Sequence, residues 1–484
     1  MMKTTRVLLL LGILFALTST KSFAQYPEDA LRLSLSGLSV GARALGMGGA
    51  YTGVANDFTA IYWNPAGLAQ IRQFELSGGV GHFGYSNDAT FLGQSSNYSN
   101  SSTSISNAGF VYPVAARRGS FTLAFGYNRS NDFASALSFN GFNPYSSIIQ
   151  NYAPDGAFYP SDLSGNLAYQ LYLANIDTIR GKFVSPLHDS VTQSGKVLEG
   201  GGVNNWSFAG ALEIAPGFFL GATLTLISGS YSYSRNYVED DSKRIYQKLP
   251  FDFQQLTLDD AIDWDLSGYG LKVGMLYKIQ KVGSVGVTVK IPTSYTVKEQ
   301  FSTRGKSLFD NGDNFSYETS GRSEYDVLTP FVFAGGLAYN IGGLLLSGDA
   351  EYTDWGQMEF KNASSNVADL LRDRNLEIKD LFRSTVVLRG GGEYTIPGAD
   401  VSLRGGFIYS PSPYKDDPSS FAQKYITGGI GFAVQSSIFI DIAYAHGWWD
   451  TFHVNYQNYT GDQTSRTDES VKTDNLLFNV AYRF

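Results

Sequence analysis

Four histidines, His82, His188, His446 and His453, stand among many serines and aspartates, the residue types from which hydrolytic sites are built. An activated serine needs a Gly-x-Ser-x-Gly elbow and a zinc hydrolase a His-Glu-x-x-His helix, and neither pattern occurs. Catalysis is therefore not expected. Asp310-Asn311-Gly312-Asp313-Asn314 offers oxygen ligands to calcium but lacks EF-hand spacing, so it reads as a solvated turn. The chain has no cysteine, hence no thiolate metal site, disulfide or lipid-bearing thiol, and no metal or cofactor is expected. The chemistry that remains lies in four cations, Lys272, Lys290, Arg389 and Arg404, each set within an apolar alternation where it could anchor a carboxylate. Ion pairing with Glu213, Asp349, Glu351, Glu393 or Asp441 is their alternative role.

The elements that hold these cations alternate with period two, the repeat of a strand. Tyr269, Leu271, Val273, Met275, Tyr277 and Ile279 share one face, and Lys272 and Lys278 the other. Val386, Leu388, Gly390, Gly392 and Tyr394 oppose Arg389 and Glu393, and Leu403, Phe407 and Tyr409 oppose Arg404. Val285, Val287 and Val289 oppose Thr288 and Lys290. The last strand places Leu476, Phe478, Val480, Tyr482 and Phe484 on one face, as in the closing strand of bacterial outer-membrane barrels. Alternation alone does not distinguish a soluble sandwich from a barrel.

Loop lengths do. Strands are predicted near 73–83, 104–112, 120–128, 203–215, 218–235, 264–280, 282–302, 323–339, 343–356, 384–396, 399–410, 422–434, 437–449 and 471–484, which makes fourteen. Short turns such as Ala215-Pro216-Gly217 and Pro397-Gly398-Ala399 alternate with long loops, as periplasmic turns alternate with extracellular loops in outer-membrane barrels. The fold expected is all-β, a transmembrane antiparallel β-barrel over 73–484. Its outer face would meet outer-membrane lipid, and its biogenesis would use the barrel assembly machinery.

Composition agrees with export to an envelope. Lys3 and Arg6, the apolar run Val7–Leu17 and the small-residue pattern Ser22-Phe23-Ala24 predict a signal peptide over 1–24, too short to span a bilayer. Its removal takes the formal charge from -8 to -11, which argues against nucleic acid as a partner. With 53 Gly, 31 Tyr and 33 Phe but 15 Pro, the rest reads as one long succession of strands.

Two regions fall outside the strand pattern, 25–72 and 129–202. The second is too apolar for a solvated loop, and Phe133, Leu137, Phe139, Phe142, Ile148, Ile149 and Leu171 are its candidate contacts to a hydrophobic ligand, captured from outside. The first contains Gly41-Ala42-Arg43-Ala44-Leu45-Gly46-Met47-Gly48-Gly49-Ala50-Tyr51 and then Asn64-Pro65-Ala66-Gly67-Leu68. These stretches, with Tyr352-Thr353-Asp354-Trp355 and Tyr409-Ser410-Pro411-Ser412-Pro413, resemble the FadL-type outer-membrane transport family (OmpP1/FadL/TodX-like). The resemblance implies an N-terminal hatch, or plug, inside a fourteen-stranded barrel that takes up long-chain fatty acids or other hydrophobic compounds. It makes Gly48, Gly49, Asn64, Pro65 and Ala66 the candidate gate and a monomer the expected state. The hatch motif also resembles the FadL-like outer-membrane shuttle of type IX protein secretion, the rival reading.

Overall fold

The computed structural model describes residues 26–38, 40–247, 252–279, 282–363, 368–457 and 464–484. The expected signal peptide and residue 25 lie outside the described residues. Fourteen strands follow in order among those described: β1 (Glu75–Phe91), β2 (Gln94–Val114), β3 (Phe121–Asp132 continued by Ser135–Asn143), β4 (Val191–Ala215), β5 (Phe218–Asp240), β6 (Phe253–Ile279) and β7 (Gly283–Lys290 continued by Ser294–Phe309). Then come β8 (Asn314–Leu328 continued by Val332–Ile341), β9 (Leu344–Asp354 continued by Glu359–Lys361), β10 (Ser384–Ile396), β11 (Val401–Ser410), β12 (Gln423–Val434), β13 (Ile438–Gln457) and β14 (Thr464–Arg483). Each pairs antiparallel with its chain neighbours, and β14 pairs with β1, so the sheet closes on itself. Closure is what lipid demands, because an open edge in hydrocarbon would leave backbone groups unpaired. No described helix is long and apolar enough to cross a membrane.

The period-two pattern sorts as lipid-facing and lumenal. Leu388, Phe407 and Ile426 point outward, 52%, 45% and 53% exposed, while their neighbours Arg389, Gly406 and Thr427 face a filled interior. Both ends of the barrel sequence meet at the short-turn end, where Phe74 and Phe484 exchange backbone hydrogen bonds.

Several strands run well beyond the predicted limits. β6 has 27 residues where about 9–11 suffice to cross a bilayer. Above the membrane the outer face need not be apolar, so strand signals fade there: Ser95, Asn97, Ser99 and Ser101 on β2 read as loop, yet they pair with β1 across a two-residue turn at Leu92-Gly93. The expected loop at 129–202 narrows for the same reason. Residues to Asn143 belong to β3 and those from Val191 to β4, leaving 144–190 as the connection.

That connection folds back over the barrel mouth. Ile148, Ile149, Leu167, Leu171 and Leu173 are buried against Phe91, Leu137, Phe139 and Tyr237 of the wall. Deeper in, the helix Pro27–Ser34 buries Ala30, Leu31 and Leu33 with Phe133, Trp264, Tyr325 and Ile378, the last from the helix Ala368–Leu381. Deepest, residues 42–71 pack on small inward side chains including Ala124, Ala209, Ala211 and Ala338.

One seam of the wall is incomplete. β2 pairs along 17 of its residues with β1 but along only eight with β3, from Val114↔Phe121 up to Asn107↔Asn128. Above that rung no backbone bond joins the two strands among the described residues, and side chains bridge them instead: Ser102 Oγ donates to Asp132 at 2.5 Å, Asn100 Nδ2 to Ser135 O at 3.3 Å, and Ser96 to the Ser138 carbonyl.

Candidate functional site

The N-terminal segment rests on a ring of inward glycines. Pro65 and Ala66 lie over Gly221, Asn64 over Gly274, Thr52 over Gly286, Gly53 over Gly336, Met47 over Gly391, Met47 and Gly48 over Gly406, and Gly46 over Gly429. At six of these seven wall positions a Cβ would collide with the segment, mostly with its backbone, and at Gly429 it would press on Gly46 Cα at 3.2 Å. Gly48 and Gly49 adopt φ of +64° and +67°, which a side chain would strain, so the expected tight turns are present. Asn64 does more than cap the following turn. Its Oδ1 accepts from Ala66 N at 3.1 Å, and its Nδ2 donates to Thr52 O at 2.8 Å and to Met275 O on β6 at 3.1 Å, tying two turns of the segment to the wall.

Charges fasten the other side. Arg43 grips Glu393 through two bonds of 2.8 Å, Arg404 bonds the same carboxylate at 2.7 Å, and Arg404 reaches Asp441 at 2.6 Å. Asp349 accepts from Tyr51 N at 2.9 Å and Thr52 N at 2.7 Å. Glu75 accepts from Phe58 N at 2.8 Å and Arg483 Nε at 2.7 Å. The Phe58 ring covers Gly109 and Gly126, which are cross-strand partners on the short β2–β3 ladder.

Cavities open on both sides of this segment. The upper one holds roughly 680 Å³ of space, part of it open to solvent, between Leu35, Ile61 and Tyr62 of the segment and Val203, Ile227, Lys272, Lys290 and Tyr295 of the wall. It reaches Ser130 and Asn131, beside the top of the β2–β3 ladder. At that rung Asn205 Nδ2 donates to Asn128 Oδ1 at 3.3 Å, while Asn128 Nδ2 and Asn205 Oδ1 are buried without a partner among the described residues. The lower cavity, about 1060 Å³, is lined by Arg43, Asp57, Glu75, Glu393, Arg404 and Arg483 and faces the short-turn end.

The four candidate anchors separate into two pairs. Arg389 is held by Glu351 at 3.2 Å, and Arg404 is consumed by Glu393 and Asp441, so the guanidinium pair stays with the ion-pair role. Neither Lys272 nor Lys290 is in a salt bridge among the described residues, and both line the upper cavity. Lys272 Nζ donates to Tyr62 O at 2.6 Å and lies 4.9 Å from the Tyr62 ring.

The seven apolar candidates are not brought together around either cavity. Leu137, Phe139, Ile148, Ile149 and Leu171 form the packed core of the mouth cap, Phe133 belongs to the cluster around helix Pro27–Ser34, and Phe142 lies under the Lys243 ammonium, 3.2 Å from the ring centroid. A chain segment that caps a mouth needs its own apolar core, and such a core has the composition of a ligand pocket. Glu239 secures the cap: it is fully buried and accepts from Ser147 Oγ at 2.6 Å and from Ile148 N, Gln193 Nε2 and Tyr237 OH at 2.8 Å each. Burial pushes its carboxyl above the ordinary range while the donors pull the other way. Glu239→Ala leaves Ser147 Oγ, Ile148 N and Tyr237 OH unpaired at about 1–3 kcal/mol apiece, while Gln193 Nε2 keeps Ser146 O at 3.0 Å and Tyr456 OH at 2.5 Å. Limited proteolysis within 144–190 is expected to accelerate at least tenfold with the barrel core intact, and an unchanged cleavage rate would show that the cap is held otherwise.

The glycine ring, Phe58 and the Arg43–Glu393 pair escaped sequence reasoning. A signal existed in the doublets Gly335-Gly336, Gly405-Gly406 and Gly428-Gly429 and the triplet Gly390-Gly391-Gly392, which recur mid-strand where no turn is possible.

A closed fourteen-stranded barrel with a lipid-facing apolar belt is an outer-membrane protein, and its lumen, filled at three levels with a cavity on either side of the deepest, belongs to a transport protein rather than an open pore. The chain belongs to the outer membrane transport protein family OmpP1/FadL/TodX, whose model matches residues 202–484. Comparison with curated protein sequences finds no match. Among solved structures, a Pseudomonas aeruginosa FadL homologue superposes with a TM-score of 0.56 at 14% identity, covering 92% of this chain and 98% of its own. The Pseudomonas putida toluene transporter TodX superposes with a TM-score of 0.53 at 12% identity, covering 92% and 98%. At such identities the likeness is one of fold.

Proposed function

We propose that this protein carries hydrophobic compounds bearing an acidic group, long-chain fatty acids foremost, from the cell exterior into the outer membrane. The observation that carries the reading is the upper cavity: mixed apolar and polar walls, two lysines without salt bridges among the described residues, and contact with the seam where β2 and β3 part. A sixteen-carbon chain leaving water gains on the order of 13 kcal/mol at about 0.8 kcal/mol per methylene, so it needs a dry path and a moving part that weakens its site. In this reading the 144–190 cap takes ligand from outside, and residues 26–72 act as the hatch, with Asn64-Pro65-Ala66 and Gly48-Gly49 on the glycine ring as its seat. The ligand leaves sideways above Asn107 and Asn128. The charged lower cavity argues against the alternative, since an apolar chain passing Arg43, Glu393 and Arg404 would desolvate them. A lumen filled at three levels favours a small molecule over a secreted protein as cargo.

The test locks the side exit. In a chain without native cysteines, Ser102→Cys with Asp132→Cys can be oxidised across the seam, and Ala42→Cys with Asn479→Cys fastens the hatch. Closing the seam is expected to cut fatty-acid uptake by tenfold or more with binding in detergent unchanged, and reduction restores it. Full uptake through the closed seam, lost only on fastening the hatch, would move the exit to the periplasmic end.

A further inference from the structure

The outer surface beside the seam differs from the rest of the lipid-facing belt. Tyr127 and Trp206 stand at the top of the β2–β3 ladder, beside its last rung, with ring centroids 5.3 Å apart. From Trp206 the contacts run through Phe125 at 6.1 Å to Phe110 at another 6.1 Å, with Phe208 attached to Phe125 at 4.6 Å. Phe110 stacks on Phe74 at 6.0 Å, and Phe74 meets Phe484 at 4.8 Å beside the short turns. The rings thus form a continuous strip from the seam to the periplasmic edge. Elsewhere on the belt the described outward rings meet in pairs such as Phe218–Tyr277 and Phe331–Phe333. Barrels concentrate aromatics in girdles at the two interfaces, so a strip through the apolar thickness calls for a different explanation. Trp206 and Phe208 are 45% and 51% exposed, so the strip presents ring faces and edges to whatever lies in the lipid beside the seam.

We infer that this strip is an exterior binding site for the apolar body of the transported compound, aromatic bodies above saturated ones, entered from the upper cavity through the seam. The inference rests on the lateral-exit reading. Its occupant follows from continuity: Tyr127 adjoins Asn128, and Asn205, partner of Asn128 and neighbour of Trp206, lines the cavity, so a molecule passing the last rung meets these two rings first. Offset ring stacking favours an aromatic guest over a chain of equal area.

The experiment uses an aryl-trifluoromethyl-diazirine carboxylate with the protein in lipid nanodiscs, adducts being mapped by mass spectrometry. Expected are adducts on lumenal Tyr62 or Tyr295 and on Phe125, Tyr127 and Trp206, the latter at least fivefold above Phe331 and Phe333. Oxidising the Ser102→Cys/Asp132→Cys pair is expected to remove the strip adducts and keep the lumenal ones. Phe125→Leu with Trp206→Leu, which keeps the surface apolar, is expected to lower strip labelling and to slow release of the aryl probe more than of an alkyl-diazirine carboxylate. Lumenal adducts without strip enrichment would overturn the inference and leave the transport reading standing, whereas no adducts at either place would overturn the transport reading. Strip adducts that ignore the seam lock would overturn the inference by showing partition from lipid. Covalent dimers joined through the strip would overturn it in favour of a second copy of the chain.

Discussion

With residues 26–72 acting as the proposed hatch, Gly391→Val with Gly406→Val is expected to raise the ion conductance of the barrel, while Gly390→Val with Gly405→Val, one residue away on each strand, leaves it at the native level. Residues 391 and 406 face the lumen, where a Cβ would fall against Met47 O and Gly48 N, and strand backbone cannot retreat without breaking its ladder. At Gly390 nothing lies within 4 Å of an added Cβ, and at Gly405 only Thr427 O does, at 3.9 Å, so those valines extend into lipid. Overpacking costs about 1–3 kcal/mol per site, so two collisions shift the balance between seated and unseated hatch by roughly 30-fold or more. Conductance in planar bilayers reads the outcome, with heat-modifiable mobility in gels confirming that each barrel has folded. Native conductance in the Gly391→Val/Gly406→Val barrel would show that the hatch is not held by its glycine seat.

Lys272→Gln with Lys290→Gln is expected to weaken binding of a long-chain carboxylate by about 10²- to 10⁴-fold, at roughly 1.5–3 kcal/mol for each charge-assisted bond. The corresponding hydrocarbon, which has no head group, should bind within about twofold of the native protein. Arg404→Gln is the instructive contrast. That guanidinium is spent on Glu393 and Asp441, so its loss should loosen the hatch without a specific effect on acids. Tryptophan quenching titrations at low salt measure both ligands, since the Trp63 ring lies edge-on 5.2 Å from Tyr62, which lines the cavity. Equal losses for acid and hydrocarbon would mean that the lysines shape the cavity rather than choose the head group.

Fourteen strands, their faces and the short-turn end follow from local chemistry. Inside the membrane each strand must show apolar residues to lipid at every second position, so Tyr269 to Ile279 and Leu476 to Phe484 announce themselves. The alternation of Lys272 with Val273, or Arg389 with Leu388, sufficed to place all four cations in the lumen. It could not say which were spoken for. Glu351 is 38 residues from Arg389 on the adjacent strand and Asp441 is 37 from Arg404 with β12 between their strands, pairings that exist only because strand register brings these side chains together in the lumen. Above the membrane the lipid constraint disappears, and with it the legibility of the Ser- and Asn-rich half of β2 and of the upper part of β3.

The amino-acid sequence by itself determined that this protein is an exported outer-membrane barrel with a small-residue segment at its N-terminal end, because hydrophobic periodicity and turn chemistry act over a few residues. The tertiary structure alone decided that Leu137, Phe139 and Ile149 would be a cap's core, that Gly391 would receive Met47, and that β2 and β3 would part above Asn107 and Asn128. Each of these depends on contacts between residues tens to hundreds of positions apart, where steric fit, not local preference, selects the partner.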